Sequence, residues 1–356
     1  MRIIAGIRKK IVVLLGLVIL MMSFTACGKR QEETTKEIYI GVACYEQKDT
    51  YIGELMESFK EACSILESDG YDINMTIMDA AGSQKTQDDQ VQEMINDGCD
   101  ILCVNLADRT NPSFVIDLAK EHDTPVIFFN REPVEEDLMQ WDKLYYVGAK
   151  AKQSGILQGQ LAVDIIKNNS SVDKNKDGKI QYVILEGEMG HQDAIIRTES
   201  VVESMKEGGI ELEKLSYQFA NWNRAQAQNR MTQLIGQYKT KIELVIANND
   251  AMALGALDAY EKLGYTEANL PIFLGVDGTE EGLEAVQKSK IVATVYNDKE
   301  GQAKAMAQLS IAVVMGEGME RIKFENERYI YLPYRKVTKE NVETFINRNE
   351  GGDSFE

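Results

Sequence analysis

Short apolar runs rich in β-branched residues alternate along this chain with longer amphipathic patterns, and this alternation limits the possible folds most strongly. Eight strands are predicted, at 38–43, 73–78, 101–105, 125–129, 181–185, 243–247, 272–275 and 291–295. Helical patterns lie between and after them, at 51–68, 86–97, 112–121, 152–167, 194–207, 224–238, 250–263, 279–288 and 299–315. Strands that alternate with helices in this way form parallel sheets with helices on both faces. The sequence therefore predicts an α/β fold.

The first 26 residues have the pattern of an export signal. Four cations, all within residues 2–10, precede an apolar run over 11–24, and small residues lead into Cys27. The apolar run is short for a membrane-spanning helix. A cysteine at this place is typical of a bacterial lipobox, so we predict cleavage before Cys27, lipidation of its thiol and a polar tether over 27–36. An uncleaved anchor is the alternative.

Composition limits the partners of the exported chain. The net charge of −18 becomes about −22 once the four cations of the signal are removed. Such a charge argues against nucleic acid and against an anionic lipid surface, so the predicted contact with the membrane is the lipid anchor alone. The remaining cysteines have no zinc spacing and lie mostly in apolar contexts, so they are predicted to be buried thiols; they are Cys44, Cys63, Cys99 and Cys103.

Residues 173–181 have the spacing of oxygen ligands in a calcium loop. The ligands would be Asp173, Asn175, Asp177, the carbonyl of Lys179, and Gln181. An EF-hand would place a bidentate glutamate at loop position twelve, but the residue there is Ile184. The alternative is an Asn- and Asp-rich turn without a metal.

Polar and aromatic side chains follow the ends of several predicted strands. In a parallel sheet, ligands bind beyond the carboxyl ends of the strands. Carboxylates, carboxamides and an arginine suit the hydroxyls of a sugar, and aromatic rings suit its apolar faces. The residues in such places are Tyr45, Asp49, Tyr51, Asn130, Arg131, Asn249, Asp277 and Asn297. Trp222 lies in a loop that opens a predicted helix, and a separate turn carries His191, Asp193 and Arg197. Asn and Asp are also common in plain turns.

Taken together, these segments resemble the bacterial glucose/galactose-binding proteins of ABC sugar transporters, in the periplasmic-binding-protein superfamily. The resemblance rests on residues 126–133 (VIFFNREP), 173–181 (DKNKDGKIQ), 245–253 (VIANNDAMA) and the His-x-Asp-x-x-x-Arg spacing from His191 to Arg197. It covers nearly all of the mature chain and implies a monomer that delivers D-glucose or D-galactose to membrane permease subunits, at the outer face of the cell membrane.

The resemblance also implies the roles of individual residues. The sugar contacts it implies are Asp49, Asn130, His191, Asp193, Arg197, Asn249, Asp277 and Asn297, with Tyr45 near the cleft and with Trp222 and Tyr51 as the stacking pair. The family usually has phenylalanine where Tyr51 stands. Glu243 would complete the site of a structural calcium ion.

Two Rossmann-like lobes, joined by a hinge of three chain crossings, are implied as well, in the type I arrangement of periplasmic binding proteins. The first lobe would span 37–148 and 299–329, the second 149–298 and 330–348, and a polar tail would follow over 349–356. Three functions remain open: a transport receptor, a sugar sensor for chemotaxis or a membrane signalling partner, and a glycosidase that uses two of Asp49, Asp193 and Asp277. The receptor is the function we expect, and an enzyme is not expected. The export signal stands where a cytosolic repressor of this fold would carry a helix-turn-helix.

Overall fold

The computed structural model describes residues 37–68 and 70–349, without the side chain of Asn349. The predicted signal peptide, the lipidation site at Cys27, the tether and residues 350–356 of the predicted tail lie outside the described residues.

Twelve strands and eleven α-helices make up this part of the chain. The strands are β1 (Glu37–Cys44), β2 (Asp72–Asp79), β3 (Ile101–Val104), β4 (Val126–Phe129), β5 (Leu144–Gly148), β6 (Ile180–Glu186), β7 (Leu212–Phe219), β8 (Leu244–Ala247), β9 (Ile272–Leu274), β10 (Ala293–Tyr296), β11 (Tyr329–Tyr331) and β12 (Arg335–Thr338). The helices are α1 (Thr50–Ser68), α2 (Gln84–Asn96), α3 (Ser113–Glu121), α4 (Glu135–Leu138), α5 (Ala151–Asn168), α6 (Gln192–Glu207), α7 (Arg224–Tyr238), α8 (Asp250–Lys262), α9 (Glu280–Gln287), α10 (Lys299–Met315) and α11 (Val342–Asn349).

The strands form two six-stranded sheets. The first has the order β11-β5-β4-β3-β1-β2, and the second has the order β12-β10-β9-β8-β6-β7. Every pairing is parallel except that of β10 with β12, which is antiparallel with Tyr296 opposite Arg335. Helices α1 to α4 and α10 pack on the first sheet, and α5 to α9 and α11 pack on the second. We call the two bodies the first lobe and the second lobe. The predicted α/β fold is confirmed.

Four strands were absent from the prediction: β5, β7, β11 and β12. Strand β7 lies at an edge, and its exposed charged residues interrupt the apolar run that marks the interior strands. Strands β11 and β12 have only three and four residues, and each returns to a sheet formed mainly by earlier parts of the chain. Tyr331 in β11 pairs with Gly148 in β5, so the predicted lobe boundary after residue 329 divides a strand of the first sheet.

Apolar faces of helices cover both sheets, as the amphipathic patterns require. The four cysteines are free and buried, which confirms their prediction as buried thiols. Helices α5 and α6 approach closely because Gly155 and Gly159 have no Cβ: a Cβ at residue 155 would lie 2.7 Å from the backbone oxygen of Arg197. This packing sets the position of α6, which carries part of the site. Among the helices that the structure describes, none has the length and apolar character needed to cross a membrane.

Candidate functional site

A cavity lies between the lobes, where the carboxyl ends of the strands in both sheets face each other. Ten of the eleven predicted ligand-binding residues line it, together with Ile52 and Arg131. The ten are Tyr45, Asp49, Tyr51, Asn130, His191, Asp193, Arg197, Trp222, Asn249 and Asp277. The eleventh, Asn297, is 2% exposed and lies outside the cavity lining, with its backbone N–H bonded to the carbonyl of Asp277 at 2.9 Å.

Three of the lining residues also begin the helices that point at the cavity. The Asp49 carboxylate accepts from the backbone N–H of Ile52 at 3.1 Å in α1, and Asn249 Oδ1 accepts from that of Met252 at 2.9 Å in α8. His191 Nδ1 accepts from the backbone N–H of Asp193 at 3.1 Å in α6. Because these side chains satisfy free N–H groups of a helix, they hold fixed orientations at its positive end. These three residues therefore cap a helix and line the cavity at the same time.

The backbone is strained at three positions in the cavity wall. Asn130 and Trp222 have φ values of 60°, and Asp277 has a φ of 109°. Asparagine tolerates this region, but tryptophan and aspartate adopt it only where the surroundings enforce it, and such residues cluster at functional sites. The Trp222 ring also needs Gly187, where a Cβ would lie 2.2 Å from a ring carbon. The strain and the glycine both place the indole at the cavity.

In the first lobe, Tyr45, Asp49 and Arg131 form one wall of the cavity. The Tyr45 hydroxyl donates to Asp49 Oδ2 at 2.7 Å, and the Arg131 guanidinium carbon lies 3.7 Å from the centre of the Tyr45 ring. Burial, with the Asp49 charge second, raises the pKa of Tyr45, so the phenol stays protonated and can donate. Arg131 is held from behind by the carbonyl of Ala107, at 2.8 Å from its Nη1.

In the second lobe, Arg197 is the centre of the opposite wall. Its Nη1 donates to the carbonyl of Asn248 at 2.7 Å and lies 3.5 Å from Asp277 Oδ1, and its Nη2 donates to the Tyr334 hydroxyl at 3.0 Å. Among the described residues, no acceptor contacts its buried Nε. A buried N–H without an acceptor is rare, and an oxygen of a bound molecule would supply one. Arg197 is therefore fixed at two nitrogens and has a third hydrogen to donate.

Burial changes the protonation of the cavity's titratable groups. It raises the pKa of Asp277 to about 6, against the opposing effect of Arg197, and it raises the pKa of Asp193. Burial first, and then the arginines at 131, 197 and 109, hold the pKa of His191 well below its ordinary value. His191 is therefore neutral, and because its Nδ1 accepts a hydrogen bond, its proton is assigned to Nε2, which can donate.

Hydrogen bonds join the two lobes near the mouth of the cavity. Arg131 Nη2 in the first lobe lies 2.9 Å from Glu188 Oε2 in the second. On α1, Glu54 accepts from the backbone N–H of Glu280 in α9 at 3.0 Å and lies 3.2 Å from Lys299 Nζ. The Arg131–Glu188 and Glu54–Glu280 contacts therefore connect the two lobes beside the cavity.

Arg131 was placed at a predicted strand end but was not among the predicted sugar contacts, and Ile52, Gln302 and Tyr334 were not predicted to belong to the site at all. A signal for Arg131 was present, because it follows β4 directly beside Asn130. Gln302 and Tyr334 reach the site from α10 and from the segment between β11 and β12. No local pattern marks these two positions as neighbours of the cavity.

The predicted calcium ligands surround one loop before β6. Glu243 is 1% exposed; its Oε1 accepts from the backbone N–H of Lys174 at 2.6 Å and its Oε2 from that of Gln181 at 3.0 Å. The amides of Asn175 and Gln181 both donate to Asp177 Oδ2, at 2.9 Å. Asp173 accepts from the backbone N–H groups of Asp177 and Gly178, and Lys179 donates its own to Asp177. Over residues 37–68 and 70–349, no group of three or more histidine, cysteine or acidic side chains is placed to hold a metal ion.

Comparison with known proteins identifies the family. The profile of the periplasmic binding protein domain matches residues 40–318. The chain is 35% identical over 324 residues to the D-galactose/methyl-galactoside binding periplasmic protein MglB of Haemophilus influenzae, which covers 90% of this chain and 96% of that protein. It is 30% identical over 280 residues to a putative rhizopine-binding protein of Rhizobium meliloti, covering 78% of this chain and 84% of that protein.

Solved structures of solute-binding proteins have the same fold as this chain. An ABC transporter solute binding protein from Bacillus halodurans with bound myo-inositol superimposes with a TM-score of 0.73 at 26% identity, covering 89% of this chain and 99% of the other. A periplasmic solute binding protein from Actinobacillus succinogenes with bound D-allose gives a TM-score of 0.73 at 19% identity, covering 86% and 99%, and supports the fold alone. The two lobes with the site between them have the type I fold of these proteins, and this chain belongs to the periplasmic binding protein family, whose members bind solutes and are not enzymes.

Proposed function

We propose that this chain is an exported receptor that closes around D-galactose or D-glucose and delivers it to an ABC permease. The observation that carries the proposal is the buried Arg197, which two acceptors hold in place while its Nε lacks one. A sugar oxygen in the cavity would accept from this group.

The charges of the cavity favour a neutral ligand. Asp49, Asp193 and Asp277 face Arg131 and Arg197, so three carboxylates meet two guanidinium groups. The formal excess is therefore a single negative charge, and the raised pKa values of Asp193 and Asp277 can only make it smaller. A charged ligand would leave an unpaired charge in a buried place, which costs several kcal/mol. A polyhydroxylated ring instead accepts from the arginines and donates to the carboxylates.

Aromatic rings on both sides of the cavity suit the apolar faces of a pyranose. Trp222 comes from the second lobe and Tyr51 from the first, and both line the cavity. A pyranose between them would be enclosed only when the lobes close. Among possible hexoses, galactose is favoured by the 35% identity to a D-galactose/methyl-galactoside binding protein over nearly the whole of both chains.

The decisive experiment is isothermal titration of the mature protein with D-galactose, D-glucose, methyl-galactoside, D-ribose, D-allose and myo-inositol. We expect galactose or glucose to bind most tightly. Asp193→Ala should weaken this binding by about 2–4 kcal/mol, because a buried hydroxyl loses its acceptor. The same substitution at an exposed position, Asp89→Ala, is the control. Absence of hexose binding, or a stronger preference for ribose or inositol, would contradict the proposed ligand.

The same proposal includes an anchor at Cys27 and a structural calcium ion at the loop of residues 173–181. Metabolic labelling with a fatty-acid analogue should mark the intact chain and not Cys27→Ala.

The calcium proposal is supported by the arrangement of the loop around Glu243, whose hydrogen bonds link two segments distant in sequence. Amide oxygens and nitrogens exchange places by rotating the side-chain amide, so Asn175 and Gln181 can turn oxygens toward an ion. An ion held in this way would stabilise the folded state.

A further inference from the structure

A buried glutamine lies behind the cavity and bonds to two of the predicted ligand-binding residues. Gln302 on α10 is 1% exposed and does not line the cavity. Its Nε2 donates to the Tyr51 hydroxyl at 2.8 Å and to Asn297 Oδ1 at 2.7 Å. An amide nitrogen carries two hydrogens, so these two bonds use both of them.

We propose that Gln302 is a positioning residue of the site, which fixes the orientation of Tyr51 and of Asn297 and, through Asn297, of Asp277. The inference rests on the proposed sugar-binding function.

Gln302 orients the carboxamide of Asn297. Because Gln302 occupies Oδ1 of this carboxamide, the Nδ2 donors are the groups left to face other partners. The side chain of Asn297 favours the ionised form of the Asp277 carboxyl. The backbone N–H of Asn297 also donates to the carbonyl of Asp277. Gln302 therefore decides which end of the Asn297 amide meets the carboxylate.

Gln302 also fixes the orientation of Tyr51. Its ring lines the cavity while its hydroxyl bonds to α10, so the bond fixes the ring at its far end. Burial raises the pKa of Tyr51 well above its ordinary value, and so the hydroxyl remains protonated. Since the oxygen accepts from Gln302, the hydroxyl hydrogen is directed toward a different partner. The ring that would stack on a sugar thus has one orientation.

The bonds of Gln302 involve residues from both lobes. Tyr51 and Gln302 belong to the first lobe, Asp277 belongs to the second, and Asn297 follows β10 at the crossing between them. One side chain outside the cavity therefore connects site residues from both lobes. Its loss should disturb their relative positions without removing any group that contacts the sugar.

The test compares two substitutions at this position, and their controls, by titration with D-galactose and D-glucose. Gln302→Met has a similar volume and no donors, and we expect it to weaken binding of both sugars roughly ten-fold or more, since two buried acceptors lose their donor. The matched control Gln308→Met lies on the same helix at an exposed position and should bind normally. Combined with Tyr51→Phe, Gln302→Met should lose less than the sum of the two single losses, because the two residues share one bond.

Gln302→Glu separates positioning from simple packing. An ionised carboxylate cannot donate to Asn297 Oδ1, whereas a protonated one can donate a single hydrogen bond. The deficit of this variant relative to the unsubstituted protein at the same pH should therefore shrink between roughly pH 7 and pH 5. The charged and titratable groups that act at Tyr51 are Tyr334, Asp277, Asp298 and Glu300, and both proteins contain them all. Gln302→Met should show no such recovery.

Two results would overturn the inference while the proposed function stands. One is hexose binding within two-fold of the unsubstituted protein in both Gln302→Met and Gln302→Glu. The other is a deficit in Gln302→Glu that stays constant with pH, together with full additivity of Gln302→Met and Tyr51→Phe, which would indicate a packing role alone. If the unsubstituted protein binds neither hexose, the proposed function fails first and the inference fails with it.

Discussion

Protons should compete with sugar at Asp277. This carboxyl is 5% exposed, and burial raises its pKa to about 6 although Arg197 opposes the shift. In the proposed complex the ionised carboxylate accepts hydrogen bonds from sugar hydroxyls, so a protonated Asp277 must lose its proton when sugar binds. Affinity should therefore fall as the pH is lowered through the pKa of the free protein.

The size of the effect follows from that pKa. If the bound carboxylate stays ionised, the apparent Kd scales with one plus the ratio of protonated to ionised Asp277 in the free protein. Between roughly pH 7 and pH 5 this factor rises about ten-fold, which corresponds to about 1.4 kcal/mol. The same linkage requires the release of roughly nine-tenths of a proton per sugar bound at pH 5 and roughly one-tenth at pH 7.

Isothermal titration with galactose, in buffers of different ionisation enthalpy, measures both quantities. Asp277→Asn should bind weakly and show neither the pH dependence nor the proton release. Neighbouring groups should contribute little to the pH dependence between pH 5 and pH 7. The pKa of His191 lies well below its ordinary value, and Asp250, whose pKa is raised to about 8, is mostly protonated throughout this range. The pKa of Asp193 is also raised, so the variant Asp193→Asn serves to measure how much of the pH dependence comes from Asp193. A Kd that changes less than two-fold between pH 7 and pH 5, or proton uptake on binding, would refute the reasoning.

Further substitutions test other parts of the structure. Trp222→Ala should weaken sugar binding by about 1–3 kcal/mol through lost apolar contact; in the parent protein, sugar should change the emission of Trp222 and not that of Trp141, and the reverse would exclude the stacking role. Asp177→Ala, or chelation, should lower the melting temperature while sugar binding persists at low temperature, and an unmoved melting temperature with added calcium or chelator would leave the loop as a turn. Burial raises the folded-state pKa of Asp250 from 3.8 to about 8, so its contribution to stability is present in full below about pH 4 and is lost as the pH rises through about 8; Asp250→Asn should flatten this decline in denaturant titrations, and an unchanged slope would contradict the assignment. Glu188→Gln should raise the sugar Kd by no more than about ten-fold, mainly through faster release, because its bond to Arg131 joins the lobes without touching the ligand; a Kd and release rate equal to those of the unsubstituted protein would contradict that role.

The alternation of strands and helices was enough to predict the fold, because interior strands such as β4 and β8 are continuous apolar runs that only a doubly covered sheet can bury. Strand β7 was not predicted because it lies at the edge of its sheet, where one face meets water, and its charged residues interrupt the apolar run that marks interior strands. Strands β11 and β12 were missed because they are edge strands whose residues are mostly only half-buried, and their place is decided by partners far away in sequence.

The cavity residues were predictable to the extent that they follow strands. Asn130 and Asn249 stand directly after β4 and β8, and parallel strands carry their ends to one edge. Gln302 could not be found in this way, because it lies within α10 and enters the site only where the chain crosses between lobes. Tyr334 is a similar case, since it contacts Arg197 from the last crossing. The sequence therefore indicates which residues follow a strand and face the cavity, but it does not indicate which distant segments pack against those residues from outside the cavity.

The return of β11 to the first sheet and of β12 to the second has a consequence for the order in which the chain can fold. The strand β5 acquires its outer neighbour only when Tyr329–Tyr331 has left the ribosome, and β10 acquires its own only when Arg335–Thr338 follows. Contacts so distant in sequence form slowly, and neither sheet is complete until its late strand, Tyr329–Tyr331 or Arg335–Thr338, has been synthesised. A nascent chain of this design keeps both sheet edges open during translation. A protein that must cross a membrane unfolded before it works on the far side would benefit from that delay.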